Sequence, residues 1–556
     1  MIDVQYLIGT AGVKKTLDGE HSFLLSDGSF YYHNWKTRNG GWFVYDNGET
    51  FRIAAELRTP SPHVSSIHHQ VKKIELRRNN VRELYQVAEN TMIWKSNTAL
   101  DTDIVLDVKK IGDERQWGRH YDIDVQDNKT IIKFTKKTDQ REDKTNGQLE
   151  YEMFVVLNTP ARVLKRWEER VYEDETHDTQ SYSRLVFRAV RLWTTSLVLT
   201  ASQNLQQALD ANEKWSKGRI SQNNEQHAEQ NKPIENVLSA QALKQFITKE
   251  KIITAIPDCS SNARSELIAL KAIAMDNSQH AVKRIIHYAR ALMNDGRLTE
   301  HEATEARCAD GAGWLFKRCG ELIDSFSSEE KSFLSEKIAD VIETLHERQT
   351  KDGLAFDNPM LGMCPSESRS HVTIEMQALR LATYRCAHNL TKNMLYKELE
   401  DKLQKKVRDH FWNGQQLSSG LGDSAPHPSI FLAEYIYPDL LTKEEWSICF
   451  TNLLKNLWLD WGGIAMHDTN STALTDNRSY FWLNNVTAIA LHNTNSELFK
   501  RHIEKIHNAS KSEFLWHGCL GAHGEYSPAA RLDSRGNPAD LLSTATFVEL
   551  LEEIKT

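Results

Sequence analysis

The sequence predicts a chain of two unlike parts, an N-terminal antiparallel β-sandwich followed by a C-terminal (α/α)6 toroid. Three observations carry this. Residues 1–203 hold short apolar and aromatic runs separated by turn signals, the pattern of an antiparallel sandwich. Residues 204–232 are polar and helix-prone, which marks a linker helix followed by a loop. From residue 233 to 556 the chain is a succession of amphipathic helical segments with apolar residues at i, i+3, i+4 and i+7.

The strands announce themselves in order. "FLLSDGSFYYHN" places two apolar-aromatic runs around Asp-Gly, and "GGWFVYDNGETFRIAAEL" repeats the arrangement around Asn-Gly, a strong hairpin signal. "YDIDVQDNKTIIKFTKK" alternates apolar and polar residues about a turn, and "LEYEMFVVLNT" and "TTSLVLTAS" supply further strands. The helices follow: "IENVLSAQALKQFIT", "ARSELIALKAIAMD", "QHAVKRIIHYARALM", "GAGWLFKRCGELIDSF", "EKSFLSEKIADVIETLHERQT", "VTIEMQALRLATYRCAHNL", "YKELEDKLQKKVRDHFW", "EEWSICFTNLLKNLW", "YFWLNNVTAIALH" and "PADLLSTATFVELLEEIK". With shorter segments the count approaches a dozen, too many for a four-helix bundle and suited to paired hairpins in a ring. The segments show no fixed-period repeat of the kind that marks a solenoid.

Composition narrows the function. Of 556 residues 40% are hydrophobic, so a packed core is expected. The formal net charge of −8, with both signs interspersed, lacks the basic face of a nucleic-acid binder. No apolar run has membrane-spanning length, and "MIDVQYLIGTAGVKK" does not read as a signal peptide. Seven cysteines, odd in number and without a CxxC pair, indicate neither a disulfide framework nor a zinc site. The expectation is a cytoplasmic protein without metal or cofactor. No Walker motif, GxSxG or HExxH is present.

Five long loops interrupt the helical half: "LTEHEATEARCADGA", "AFDNPMLGMCPSESRSH", "SSGLGDSAPHPS", "GGIAMHDTNSTALTDNRS" and "HGCLGAHGEYSP". Structureless loops of this length in a compact domain are commonly functional. They carry the carboxylates Asp310, Glu367, Asp423, Asp468, Asp476 and Glu525, with Trp314, Trp482 and Trp516 nearby. Two positioned carboxyl groups are what glycosidic hydrolysis requires, one to protonate the leaving oxygen and one to activate water or attack the sugar. Spacing alone does not choose the pair.

Several stretches resemble the amylo-α-1,6-glucosidase half of glycogen debranching enzymes. They are "ARCADGAGWLFKRCGEL", "SESRSHVTIEMQALRLATY", "FWNGQQLSSGLGDSAPHPSIFLA" and "HGCLGAHGEYSPAARLDSRGNPADLLSTATFVELL", in the family's order, with "TTSLVLTASQNLQQAL" similar to the end of its N-terminal sandwich. The resemblance implies an inverting glycosidase with Asp310 as general acid and Glu525 as general base, acting on a carbohydrate. It places Arg264, Trp314, Glu375, His427, Tyr480, Trp482 and His523 at substrate-binding positions. In "IITAIPDCSSNARSELIALKAI" only Arg264 remains of the residues that hold a terminal glucose in the family, and Ser265 stands at its Asp position. A different terminal sugar or a small glycoside is compatible with that change.

Plainer roles stand beside these. Asp310 fits a helix N-cap, Glu525 a carboxylate bracing the last helix, Trp314 and Trp482 core residues, and Arg264 an ion-pair partner. "HIEKIHNASKSE" reads as a solvated helix face. Two rival functions remain: a toroid epimerase or polysaccharide lyase working through His371, His427, Tyr480 or His523, and a carbohydrate-binding protein without catalysis.

Overall fold

The computed structural model describes the chain except residues 1–2, 7–11, 17–22, 27–28, 34–36, 38–39, 61–63, 71–72, 79, 139–146, 173–181, 219–232, 248–251, 257–260, 294–295, 300–306, 349, 359–369, 470–476 and 556. Glu367, Asp476, Cys259, Cys364 and the side chain of Trp516 lie outside what is described. The chain forms two compact units: Met1–Thr248 with Pro257–Cys259 and Cys519–Ala522, and Lys249–Ile256 with Ser260–Gly518 and His523–Thr556.

The first unit is built on one large, branched antiparallel sheet. Its hairpins sit where turn chemistry placed them. Strands Gly41–Asp46 and Glu49–Arg58 meet at Asn47 and Gly48, both at positive φ (50° and 82°), the backbone that an Asn-Gly hairpin turn demands. Phe23–Ser26 pairs with Ser29–His33, and Arg119–Gln126 with Lys129–Lys137. Two long strands, Thr91–Lys110 and Tyr182–Ser202, pair with each other along most of their length and serve both branches. The register between them shifts after Lys95 and again after Ile104, and such bulges bend a strand. A single apolar cluster draws on both branches, with Trp42, Phe51 and Ile53 from one and Ile74, Trp94, Phe134 and Met153 from the other, all fully buried. Helix α1 (Leu205–Lys217), the predicted linker helix, lies on this sheet, where Asn212 donates to the carbonyls of Val156 and Val198 at 3.0 Å each. Helix α2 (Ile234–Gln245) completes the unit.

The second unit is helical. It comprises α3 (Ala263–Ala291), α4 (Gly311–Glu321), α5 (Ser328–Arg348), α6 (Ile374–Thr391), α7 (Met394–Phe411), α8 (Ser429–Ile436), α9 (Lys443–Leu457), α10 (Phe481–Ser512) and α11 (Leu541–Glu553). Two of these are each a pair of helices. Asn277 in α3 and Asn495 in α10 leave helical geometry, and each side chain then accepts the backbone N–H three residues on (His280 and Leu498, both 3.0 Å), capping a second helix. Thus the two sequence segments 263–276 and 279–293 meet at a break of one residue. "HIEKIHNASKSE" falls in the second half of α10, where Ile503 and Ile506 are buried.

Six helices pack in a closed cycle: α3 on α4, α4 on α6, α6 on α8, α8 on α10, α10 on α11, and α11 on α3. A buried polar network crosses it. Arg318 of α4 donates to the carbonyls of Leu267 and Ile268 in α3 and, at 2.8 Å, to the Tyr435 hydroxyl in α8; that hydroxyl donates to Glu549 of α11 at 2.6 Å. Arg318 has no exposed surface, so each of these bonds replaces one to water and satisfies a group that would be costly to leave bare.

Candidate active site

The candidate residues gather at helix N-terminal ends. Arg264 opens α3, Asp310 precedes α4, Glu375 lies in the first turn of α6, His427 precedes α8, and Tyr480 and Trp482 flank the start of α10. Glu525 lies in the loop ahead of α11.

Asp310 occupies the N-cap position of α4, yet its side chain makes no capping bond. Its carboxylate instead faces Arg264, whose Nε is 2.8 Å from Oδ1 and 3.0 Å from Oδ2. The Cys308 thiol donates to Oδ1 at 2.9 Å. The Asp310 side chain is almost sealed, at 1% exposure, and Arg264 opens to 13%. The plain-cap reading therefore fails for the side chain, and Arg264 and Asp310, 46 residues apart, form one charged pair.

Glu525 is half-buried and held through a single oxygen. The backbone N–H and the side-chain amide of Asn537 both donate to Oε2, at 3.0 and 3.1 Å. Among the described residues no donor is bonded to Oε1. Its backbone is fixed on both sides: the Glu525 N–H donates to Asn537 O (3.1 Å) and Phe481 N–H to Glu525 O (3.2 Å). Strand Arg478–Tyr480 pairs with Tyr526–Pro528, bringing the Tyr480 and Tyr526 rings to 5.7 Å. Burial raises the Tyr480 hydroxyl above its usual value against the opposing pull of Arg478, and the negative charge of Glu525 adds to the rise. The last helix is capped by Asp540, not Glu525: Asp540 Oδ2 accepts the Ser543 N–H and hydroxyl at 2.8 Å each. Burial and the nearby Glu525 push the Asp540 carboxyl up to about 7.

The glycines of "HGCLGAHGE" have a steric reason that the sequence did not reveal. Glu513, fully buried at the end of α10, turns Oε1 into this loop, where it accepts the Gly524 N–H and the Ser534 hydroxyl, each at 2.9 Å. A Cβ on Gly524 would stand 2.9 Å from that oxygen and closer still to Ser534 Oγ. Gly521 takes φ +72°, the left-handed conformation expected at the sharp turn.

Two of the expected sugar contacts sit elsewhere. Trp314 has no exposed surface, and the Arg318 guanidinium lies 5.5 Å over its ring; it is core. His523 is also fully buried, ringed by Phe481, Phe514 and Phe547, with Nδ1 2.8 Å from Glu513 Oε2. Neither presents a surface to a ligand; both brace the carboxylate-bearing segments. His427 accepts the Ser429 N–H at Nδ1 (3.2 Å), with the Ser429 hydroxyl 2.9 Å away, and is 8% exposed. Glu375 (4%) and Trp482 (6%) are nearly buried. His371 stacks on Phe356 at 5.4 Å. Asp423 is spent on its own turn, accepting from Ser419 Oγ and the Ala425 N–H at 3.0 Å each.

The two carboxylate clusters are tied through the helices that carry them. Both α4 and α11 pack on α3, and Ala255 pairs with Asp540 in a short two-stranded ladder just ahead of α3. Sequence reasoning missed Asn537, Glu513, Asp540 and Cys308. Asn537 in the Gly-Asn-Pro turn twelve residues after Glu525 was the one readable signal, since Asn is a usual turn residue.

No family model matches the chain, and no curated protein matches it by sequence. Solved structures do match by fold. A bacterial glucoamylase complexed with acarbose aligns over 99% of this chain and 97% of its own, with 10% identity and a TM-score of 0.62. A wild-type glycosidase aligns over 58% of this chain and 97% of its own (12% identity, TM-score 0.46). A cellobiose 2-epimerase from Bacillus thermoamylovorans aligns over 57% of this chain and 95% of its own (10%, 0.44). The glucoamylase likeness shows a shared fold; function depends on the site.

Proposed function

We propose that this chain is an inverting glycoside hydrolase acting on an α-linked glucoside or related sugar, in the manner of a debranching glucosidase. The fold would be a β-sandwich (1–203), a linker (204–232) and an (α/α)6 toroid (233–556). In such a ring the alternating inner helices run parallel, so their N-terminal ends form one mouth, where the candidate residues would converge. The closed cycle α3-α4-α6-α8-α10-α11 and the glucoamylase-like fold support this reading.

The observation that carries the mechanism is the one-sided hold on Glu525. With Oε2 anchored by Asn537 and Oε1 left without a bonded donor, the carboxylate is oriented to take a proton from a water on the Oε1 side. Asp310 would protonate the leaving oxygen. The Arg264 guanidinium stands against both Asp310 oxygens, so that contact has to open as a sugar oxygen approaches. An inverting pair needs its carboxyl groups roughly 6.5–9.5 Å apart, with the water between. Arg264, Glu375, His427, Tyr480 and Trp482 would line the sugar. The epimerase or lyase reading loses one proton shuttle with His523 sealed in protein.

The test is hydrolysis of a panel of aryl glycosides and disaccharides, with the first-formed anomer observed by NMR. Asp310→Asn and Glu525→Gln should each lower kcat by about 10²–10⁴ while sugar binding persists, and the parent should release the inverted anomer. Unchanged turnover in both variants would sink the assignment.

A further inference from the structure

A second feature belongs to the sheet unit alone. A pocket of about 520 Å³ is lined by residues that include Arg119, Tyr121, Asp122, Lys137, Lys165 and Trp167. That volume lies in the range of small-molecule sites. Three rings form one wall: Tyr121 stacks on Phe187 at 4.3 Å, and Trp167 meets Phe187 at 5.0 Å and Tyr121 at 5.6 Å. Trp167 is 41% exposed, so part of its ring is open to solvent.

The charge around this wall is unbalanced. Lys137 and Lys165 line the pocket, and among the described residues neither makes a salt bridge. Lys165 sits at a break in register between Val163 and Arg166, with φ +49°. A non-glycine residue held in that conformation is uncommon, and bulges re-aim side chains. Beneath, Arg119 shares the buried Asp107 with Arg52 and Arg184 at 2.8–2.9 Å, and Arg184 also reaches Glu114 at 3.5 Å, so two carboxylates serve three guanidiniums. Arg119 also lies 5.0 Å over the Trp167 ring, and among the described residues its buried Nε has no hydrogen-bond partner. Even with Asp122 in the pocket and Glu114 in the floor, the described charged groups here carry excess positive charge.

We propose that this pocket binds an anionic sugar unit, one bearing a carboxylate or a sulfate. The apolar face of the ring lies on Trp167, the anion faces Lys137 and Lys165, and sugar hydroxyls donate to Asp122 and reach Thr135. Asp122 disfavours a continuous phosphate chain, which offers it no donors, but suits a polyol. The proposal is independent of the hydrolysis proposed above; either can fail alone.

The experiment is calorimetric titration of the full chain at low salt with a galacturonate tetramer, a heparin-derived tetrasaccharide, maltotetraose and a short single-stranded oligonucleotide. At least one anionic oligosaccharide should bind with Kd below about 1 mM. Binding should weaken at least tenfold in W167A and in the double variant K137A/K165G, and weaken as salt rises. The galacturonate and heparin arms separate carboxylate from sulfate recognition. Maltotetraose binding should change less than twofold in either variant. Lys165→Gly relieves the positive φ and should not lower Tm, which guards against simple unfolding. Absence of binding by both anionic oligosaccharides, full retention of affinity in W167A, or tighter binding of the oligonucleotide would overturn the assignment.

Discussion

Arg264 reaches both carboxylate oxygens of Asp310 through one Nε, at 2.8 and 3.0 Å, from a position 46 residues earlier in the chain. Asp310 is almost fully buried, so this guanidinium is the charge that makes its burial tolerable. Arg264→Ala should therefore destabilise the protein by about 3–5 kcal/mol. Adding Asp310→Asn to that variant should recover part of the loss, because no unpaired buried charge remains. Urea melts of the two single variants and the double variant read the coupling. Simple additivity would show that the pair carries no special weight.

Asn537 is the residue that aims Glu525. Asn537→Ala removes the side-chain donor to Oε2 and keeps the backbone donor. The expected result is a kcat lowered about tenfold, equivalent to roughly 1.4 kcal/mol, with KM nearly unchanged. Steady-state kinetics separates this from a general loss of fold, which Tm would report.

Glu513 should prove structural, and sharply so. It is buried with His523 at 2.8 Å and holds Gly524 and Ser534. Glu513→Gln retains an acceptor for both donors, whereas Glu513→Ala leaves them bare at a cost of about 1–3 kcal/mol each. The ordering of Tm should be parent, Gln, Ala. Gly524→Ala should also lower activity, since its Cβ would press on the same carboxylate.

Glu434 in α8 predicts a pH dependence. Burial raises its carboxyl to about 8, and among the described residues Oε2 has no hydrogen-bond partner. A folded value above the unfolded 4.5 means the folded state holds the proton more tightly. This contribution is fully present below about pH 4.5 and is lost as pH rises through about 8, at up to about 1.4 kcal/mol per pH unit. Glu434→Gln should flatten the fall in stability between pH 5 and 8 and raise Tm at pH 8. A parallel decline in both proteins would refute it.

Much of this architecture was legible along the chain. Asn47-Gly48 marked its hairpin because few residues tolerate two successive positive φ values, and the helices showed because 3.6-residue periodicity is a local property. The junction at Asn277 was half-legible: both helices were read, but not that one extended asparagine joins them. Trp314 and His523 were misplaced for a general reason. A residue beside a candidate acid in sequence points wherever its helix face or turn directs it, and both directions here lead into protein.

By itself, then, the sequence determined the division into sheet and helices, their order, and which loops carry carboxylates, since these follow from local periodicity and turn stereochemistry. Only tertiary structure decided that Arg264 meets Asp310, that Asn537 takes one oxygen of Glu525, and that Glu513 underlies the glycine loop. Those contacts join residues 11 to 46 positions apart, and their geometry depends on how packed helices and turns orient side chains, which no local pattern encodes.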